Sequence, residues 1–189
     1  MKFGVGVEGP SDQHFWTKVL NKHFAPHQFN VWTMNNRVRL IRETPRLLET
    51  FRNAHYDGVF ILADKDKERC LSDLRTLFDE PTRKEFLKQR PERYLNLCAP
   101  IRNVEAWYQA DEAGIRLVIE GTDYVVPPDT DGKGKGTIKS LYSALYGNQR
   151  AYNEIDFAEQ LAPKFDPQGA RQHSTSFNYF WTRLEEVTA

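Results

Sequence analysis

Two short apolar runs in the chain each lead directly into acidic side chains. One run, rich in Val, Ile and Phe, ends at Asp64, and Asp66 follows two residues later; the other ends at Glu8, and Asp12 follows four residues later. In open α/β sheets, ligands bind beyond the carboxyl ends of parallel strands, so we expect these four carboxylates at one edge of a sheet. Carboxylates crowded together repel one another unless a cation neutralises them, and all-oxygen ligation favours Mg²⁺ or Mn²⁺. The sequence therefore predicts a divalent-metal site.

The spacing within each acidic pair supports this interpretation. In extended backbone, one intervening residue directs Asp64 and Asp66 to the same side, where they can bind one metal ion or a pair. Asp12 lies about one helical turn beyond Glu8, facing the same crevice. Simpler interpretations stay open, because acidic residues often cap helices and a charged loop after a strand is often only solvated.

Further along the chain lie one more candidate ligand and three candidate substrate-binding residues. Glu105 follows another short predicted strand and is a third acidic element. Lys133, Lys135 and Lys139 lie in or just after a turn-rich loop and could contact substrate phosphates, although loop lysines are often only solvated. The loop lacks the Gly-x-x-x-x-Gly-Lys-Ser/Thr spacing of a phosphate-binding P-loop.

Strands and helices that would position these groups alternate along the chain. Strands are predicted at residues 2–7, 28–34, 58–63 and 93–99. Helices are predicted at residues 11–24, 44–54, 68–89 with a break near 81, from 104 onward, 137–145, 155–162 and 176–187. We expect Ser11 or Asp12 to cap the first helix, and Thr44 to cap the second with Pro45 at its first position. This alternation predicts an α/β fold with a mainly parallel four-stranded sheet flanked by helices.

Bulk composition limits the classes of function. The chain has 189 residues, which predicts a single domain with a core at about 1–113 and a loop and helical extension at about 114–189. Its 26 basic and 26 acidic residues cancel, so any nucleic-acid binding must rely on local patches. No signal-peptide core or membrane-length apolar run is present, and Cys70 and Cys98 form neither a disulfide framework nor a zinc pattern. We therefore expect a cytoplasmic protein without membrane contact.

Together, the two acidic motifs resemble the TOPRIM domain. Glu8-Gly-Pro-Ser-Asp12 after a strand and Asp64-x-Asp66 after a later strand match its pattern. This domain occurs in topoisomerases, bacterial primases, maturation ribonucleases and overcoming-lysogenization-defect nucleases. The resemblance implies a TOPRIM-like, Rossmann-like fold.

Two further motifs are similar to a smaller branch of that family. Residues 103–111 (Asn-Val-Glu-Ala-Trp-Tyr-Gln-Ala-Asp) and 176–180 (Ser-Phe-Asn-Tyr-Phe) are similar to a stand-alone TOPRIM branch of unknown function. That branch is often encoded beside ABC-type ATPases in prokaryotic defence loci. The resemblance therefore implies an ABC-type ATPase as a partner and a role in phage defence.

Residue roles follow from the resemblance position by position. It implies that Glu8 is a general acid/base or metal ligand, that Asp64 and Asp66 bind the metal, and that Asp12 is the acidic residue of the nuclease-like members. Glu105 matches only the small branch. The implied catalytic residues are thus Glu8, Asp64 and Asp66. The implied activity is Mg²⁺- or Mn²⁺-dependent phosphodiester hydrolysis of DNA or RNA.

Two other interpretations remain open. One is a non-catalytic TOPRIM subunit or scaffold of such a complex. The other is a metal-dependent nucleotide-sugar glycosyltransferase, in which Asp64-x-Asp66 would hold the metal against a diphosphate. That alternative leaves the motif from Glu8 to Asp12 unexplained, and the chain is short for such a fold.

Overall fold

A computed structural model of the chain describes residues 1–65, 68–78, 95–147 and 151–189. Its centre is a parallel sheet of four strands in the order β2-β1-β3-β4. The strands are β1 (Lys2–Val7), β2 (Gln28–Thr33), β3 (Gly58–Leu62) and β4 (Leu95–Cys98). This arrangement confirms the predicted α/β fold with a parallel four-stranded sheet.

Helices cover both faces of this sheet. In the described ranges they are α1 (Pro10–His23), α2 (Arg37–Asn53), α3 (Leu71–Leu77), α4 (Val104–Gln109), α5 (Glu112–Val118), α6 (Gly136–Tyr146), α7 (Glu154–Leu161), α8 (Pro167–His173) and α9 (Thr175–Thr188). The helices from α5 onward form the predicted C-terminal extension. In the described ranges, no helix has both the length and the apolar content needed to cross a bilayer.

The central strands β1 and β3 are buried on both faces, as their continuous apolar sequences predict. On one face, α2 packs so closely against β1 that a side chain at Gly4 would lie 2.5 Å from the Phe51 ring. A side chain at Gly6 would likewise lie 2.8 Å from Leu47. Glycine at these two positions therefore allows α2 to approach the sheet.

On the opposite face, an aromatic cluster joins α1 to the C-terminal helices. The Trp107 ring of α4 stacks on the Phe180 ring of α9 with centroids 5.1 Å apart, and Trp16 of α1 meets Phe180 edge to face at 5.2 Å. All three side chains are buried. Burial of such large rings stabilises the fold strongly, so the extension is part of the same hydrophobic core.

The predicted start of α2 is wrong. This helix begins at Arg37, and its cap is Asn36, whose side chain accepts a hydrogen bond from the Arg39 N–H at 2.8 Å. Thr44 is buried inside the helix, where its hydroxyl donates to the Leu40 carbonyl at 2.7 Å, and Pro45 lies in the helix interior. The Thr-Pro pair has the composition of a helix start, but tertiary packing carries the helix through it.

Other boundaries differ less. The first helix begins at Pro10 with Gly9 as its cap, so neither Ser11 nor Asp12 is the capping residue. The predicted helix at 68–89 is represented by α3, while residues 79–94 lie outside the described part of the chain. The short helices α5 and α8 had not been predicted.

Candidate functional site

The carboxyl ends of β1 and β3 open into a cleft of about 430 Å³. Glu8 directly follows β1 and Asp64 lies just beyond β3, so both start from neighbouring strand ends. Asp12 of α1 and Glu105 of α4 line the same cleft. Four of the five predicted acidic residues therefore come together, and the fifth, Asp66, lies outside the described residues.

Backbone hydrogen bonds fix the position of Glu8. Its carboxylate accepts a hydrogen bond from the Asp64 N–H at 2.8 Å. Its carbonyl oxygen accepts one from the Thr33 hydroxyl at 3.4 Å. Glu8 thus connects the ends of β1, β2 and β3, which accounts for its place at the floor of the cleft.

Asp12 carries the clearest electrostatic signal in the cleft. The pKa of its carboxyl is raised to about 7, mainly by burial and in addition by the neighbouring carboxylates of Glu105 and Glu8, while a hydrogen bond from the Gly9 N–H opposes the shift. That bond is 3.0 Å long. Negative charge is therefore crowded here, as expected for carboxylates that share one small volume.

Glu105 is held by a helix that is itself almost fully enclosed. Every side chain of α4 is buried, and Glu105 is 6% exposed. Two residues further on the same helix, Trp107 donates its indole N–H to the Ser176 hydroxyl at 2.7 Å. The helix is thereby attached to the start of α9, and Glu105 is positioned by the hydrophobic core.

Several polar groups at the cleft were not predicted from the sequence. Asn35, Asn36, Asn103 and Glu154 also line it. The Asn103 side-chain oxygen and the Tyr108 hydroxyl are buried and lack a hydrogen-bond partner among the described residues. Burial, followed by the negative charges of Asp12 and Glu105, raises the pKa of Tyr108 well above its usual value. Asn103 belongs to the same motif as Glu105, and this shared motif was the available signal.

Of the three predicted lysines, only Lys135 lines the cleft in the described part of the chain. Its ammonium lies 3.1 Å from the Glu154 carboxylate, and this contact is the main cause that raises the pKa of Lys135. Lys133 and Lys139 are exposed. One lysine of the set is therefore placed to meet a ligand in the cleft.

Comparison with known proteins adds a family. Residues 7–185 match the family model described as "Domain of unknown function (DUF4276)". The chain belongs to the DUF4276 family. Neither a curated protein nor a solved structure matches it. In this DUF4276 protein, the matched residues run from the end of β1 into α9, so they include the cleft and the extension.

Ligand chemistry and ligand geometry must be distinguished in the DUF4276 cleft. Its carboxylates and the unpartnered Asn103 oxygen are hard donors of the kind that Mg²⁺ and Mn²⁺ prefer. Within the described ranges, however, no three His, Cys, Asp or Glu side chains are grouped so that they could hold a metal ion. Glu8 and Asp12 instead accept backbone N–H groups. The donors fit a divalent cation chemically, but they are not arranged around one.

Proposed function

We propose that the acidic cleft hydrolyses phosphodiester bonds of nucleic acid with the help of Mg²⁺ or Mn²⁺, as a TOPRIM-type nuclease. The observation that carries this proposal is the convergence of Glu8, Asp12, Asp64 and Glu105 at neighbouring strand ends. When bound, a divalent cation would activate water and neutralise charge on the leaving oxygen.

Each residue has a role in this proposal. Asp64 and Glu105, together with Asp66, would hold the cation. Glu8, whose orientation is fixed by the Asp64 N–H, would accept a proton from the attacking water. Lys135 at the cleft would face the negative charge of the phosphate.

The crowding of negative charge supports a cation in this cleft. Repulsion by Glu105 and Glu8 contributes to the raised pKa of Asp12, so the folded protein ionises this carboxyl at an energetic cost. A divalent cation would remove that cost. The orphaned Asn103 oxygen would at the same time gain a partner.

A second function, that of a non-catalytic TOPRIM subunit, is favoured by one observation. No set of three ligand side chains is assembled in the described part of the chain. A scaffold subunit needs the fold and its surfaces but no preformed metal centre. Activity and metal binding must therefore be measured separately.

We also propose an ABC-type ATPase as the partner, as the family resemblance implies. The formal net charge of the chain is zero, so its grip on nucleic acid must be local or assisted. A prokaryotic defence complex would provide that assistance. This part of the proposal rests on analogy with the resembling family.

The deciding experiment incubates the purified protein with Mg²⁺ or Mn²⁺ and plasmid DNA, single-stranded DNA or tRNA. We expect cleavage by the wild type and at least a hundredfold loss in Glu8→Gln and Asp64→Asn, because removal of a catalytic electrostatic group commonly costs this much. The exposed variants Glu49→Gln and Asp123→Asn are matched controls that should cleave normally. Metal binding without cleavage would favour the scaffold subunit, and absence of metal binding would overturn the proposal.

A further inference from the structure

A second groove lies beside the acidic cleft, between the edge strand β2 and helix α2. Its volume is about 380 Å³, and Trp32, Met34, Arg39 and Arg46 are among its lining residues. The chain continues from Met34 directly into Asn35 and Asn36, which line the acidic cleft. The two concavities therefore adjoin along the loop from β2 to α2.

The helix that forms one wall of this groove is strongly basic. It contains five arginines and two glutamates, whereas the whole chain is neutral. Arg37 is paired with Glu68 at 2.7 Å and Arg42 with Glu43 at 3.0 Å. This helix therefore carries a local patch of positive charge, although the whole chain has no net charge.

The two arginines of the groove differ from these paired ones. Across the described ranges, neither Arg39 nor Arg46 has a carboxylate within ion-pairing distance. Both residues are exposed. The only acidic side chain on the groove wall, in the part that the structure describes, is Glu43, and Arg42 already binds it. Two guanidinium groups are therefore available for an anion.

Their spacing suits a phosphodiester strand. Arg46 lies seven positions after Arg39, which is about two helical turns on one face, or roughly 10 Å. At roughly 3.4 Å per stacked nucleotide, this distance spans about three nucleotides of one strand. The planar guanidinium group binds phosphate through two parallel hydrogen bonds.

Trp32 adds a surface for a base. It lies on the edge strand, is 41% exposed, and is supported from behind by the Phe51 ring at 5.3 Å, edge to face. An exposed indole beside cationic side chains is the usual platform on which unpaired bases stack. Bases inside a duplex are stacked and paired, so they do not reach such a platform.

We propose that this basic groove binds single-stranded nucleic acid and directs the strand toward the acidic cleft, a step that rests on the proposed function. Arg39 and Arg46 bind the phosphates, and Trp32 stacks on a base. An acidic polypeptide would also meet the arginines, but it has no bases to stack on Trp32. The groove is thus a substrate-binding surface for single strands.

Fluorescence anisotropy in EDTA tests this proposal, with labelled 20-nucleotide single-stranded DNA and RNA and a duplex of the same length. We expect the single strands to bind more tightly than the duplex. The double variant Arg39→Gln/Arg46→Gln should weaken single-strand binding about tenfold and lower the slope of log Kd against log salt by about 1.4. Trp32→Leu should weaken it about tenfold, while Trp32→Phe retains most of the affinity.

The matched control removes equal charge from the opposite face of the sheet. Lys18→Gln/Lys22→Gln on α1 changes two exposed lysines and should leave binding within about twofold of wild type. An equal loss in this control would overturn the proposal, as would tight duplex binding that is unaffected by Trp32→Leu. Poly-glutamate that competes as well as the oligonucleotide would assign the groove to acidic polypeptides instead.

Failure of the groove is distinguishable from failure of the cleft. Because EDTA prevents metal-dependent cleavage and each change removes a negative charge, Glu8→Gln and Asp64→Asn should bind single strands at least as tightly as the wild type. If those variants bind and no form of the protein cleaves, the proposal for the groove is supported and the proposed nuclease activity is overturned. If Arg39→Gln/Arg46→Gln binds and cleaves like the wild type, the proposal for the groove is overturned and the proposed nuclease activity is supported.

Discussion

Asp131 and Asp12 are acidic residues in opposite environments. Asp131, which is 4% exposed, accepts hydrogen bonds from the Ser174 hydroxyl at 2.6 Å, the Ser176 hydroxyl at 2.7 Å and the Ser176 N–H at 2.9 Å. Asp12 accepts one from the Gly9 N–H at 3.0 Å and otherwise faces other carboxylates. One is surrounded by donors, and the other by negative charge.

This difference separates carboxylates that hold the fold together from carboxylates crowded by other negative charge. The bonds to Asp131 attach the loop before α6 to the first turn of α9, and through Ser176 they reach Trp107 under the cleft. A buried carboxylate with enough donors can stabilise a fold, whereas a partly buried one with few donors has a raised pKa. Asp12 belongs to the second kind.

Removal of Asp131 should have the largest effect on stability. Asp131→Ala leaves the buried Ser174 hydroxyl and the half-buried Ser176 hydroxyl and N–H without their acceptor, so we expect the free energy of unfolding to fall by about 3 kcal/mol. Urea denaturation measures this change. The exposed Asp123→Ala should cost less than about 0.5 kcal/mol. A loss below about 1 kcal/mol for Asp131→Ala would mean that the donors find other partners.

Removal of the charge of Asp12 should instead stabilise the protein above neutral pH. The folded pKa of about 7 lies above the unfolded value of 3.8, so the folded state holds its proton while the unfolded chain ionises. Below pH 4 this carboxyl adds no pH dependence. Between pH 4 and pH 7 this carboxyl lowers the free energy of unfolding progressively as pH rises. Above pH 7 the folded carboxyl is also ionised, so the decrease is complete.

The test compares Asp12→Asn with wild type by urea denaturation at pH 5 and pH 8. Because Asp12 is only half-buried, solvent in the cleft reduces the effect, and we expect the variant to gain about 1–2 kcal/mol relative to wild type between these pH values. The asparagine oxygen can still accept the Gly9 N–H. If both proteins lose stability equally between pH 5 and 8, negative charge is not crowded at Asp12.

A divalent cation should relieve the same crowding. Mg²⁺ at ten times its dissociation constant would stabilise the fold by about 1.4 kcal/mol, or a melting temperature higher by about 3 °C for a domain of this size. The increase should be larger at pH 8 than at pH 6, because the cation competes with the proton of Asp12. Differential scanning fluorimetry checks this, with Asp64→Asn expected to lose the increase and Asp123→Asn to keep it. An equal increase in the melting temperature of Asp64→Asn would show that the ion binds outside the acidic cleft.

The comparison also indicates how far sequence alone could go. The strands and the shared cleft of Glu8 and Asp64 follow from local apolar runs and from the rule that parallel strands end at one edge. The role of Asp131 does not follow, because its partners lie 43 and 45 residues away. The prediction of where α2 begins was wrong for a related reason, because the local cap signals at Thr44 carry no information on tertiary packing.

The selection of one lysine among the three predicted ones also depends on distant contacts. All three lysines are exposed, yet in the described part of the chain only Lys135 lines the cleft, and nothing in the loop sequence distinguishes the three. Its partner Glu154 lies 19 residues further along. Side-chain identity therefore predicted which residues could line the cleft, but the packing of α6 and α7 decides which one does.

The pair of Lys135 with Glu154 gives the smallest expected effect. Their side chains are 60% and 45% exposed, so Glu154→Gln should change the free energy of unfolding by less than about 0.5 kcal/mol. The same change should lower the pKa of Lys135, because the hydrogen bond that its ammonium donates to Glu154 is the main cause that raises it. Urea denaturation and NMR titration of the lysine measure the two effects. A stability loss above about 1.5 kcal/mol would show that a carboxylate at this rim is structural, like Asp131, and the distinction between the two kinds would not extend to the edge of the cleft.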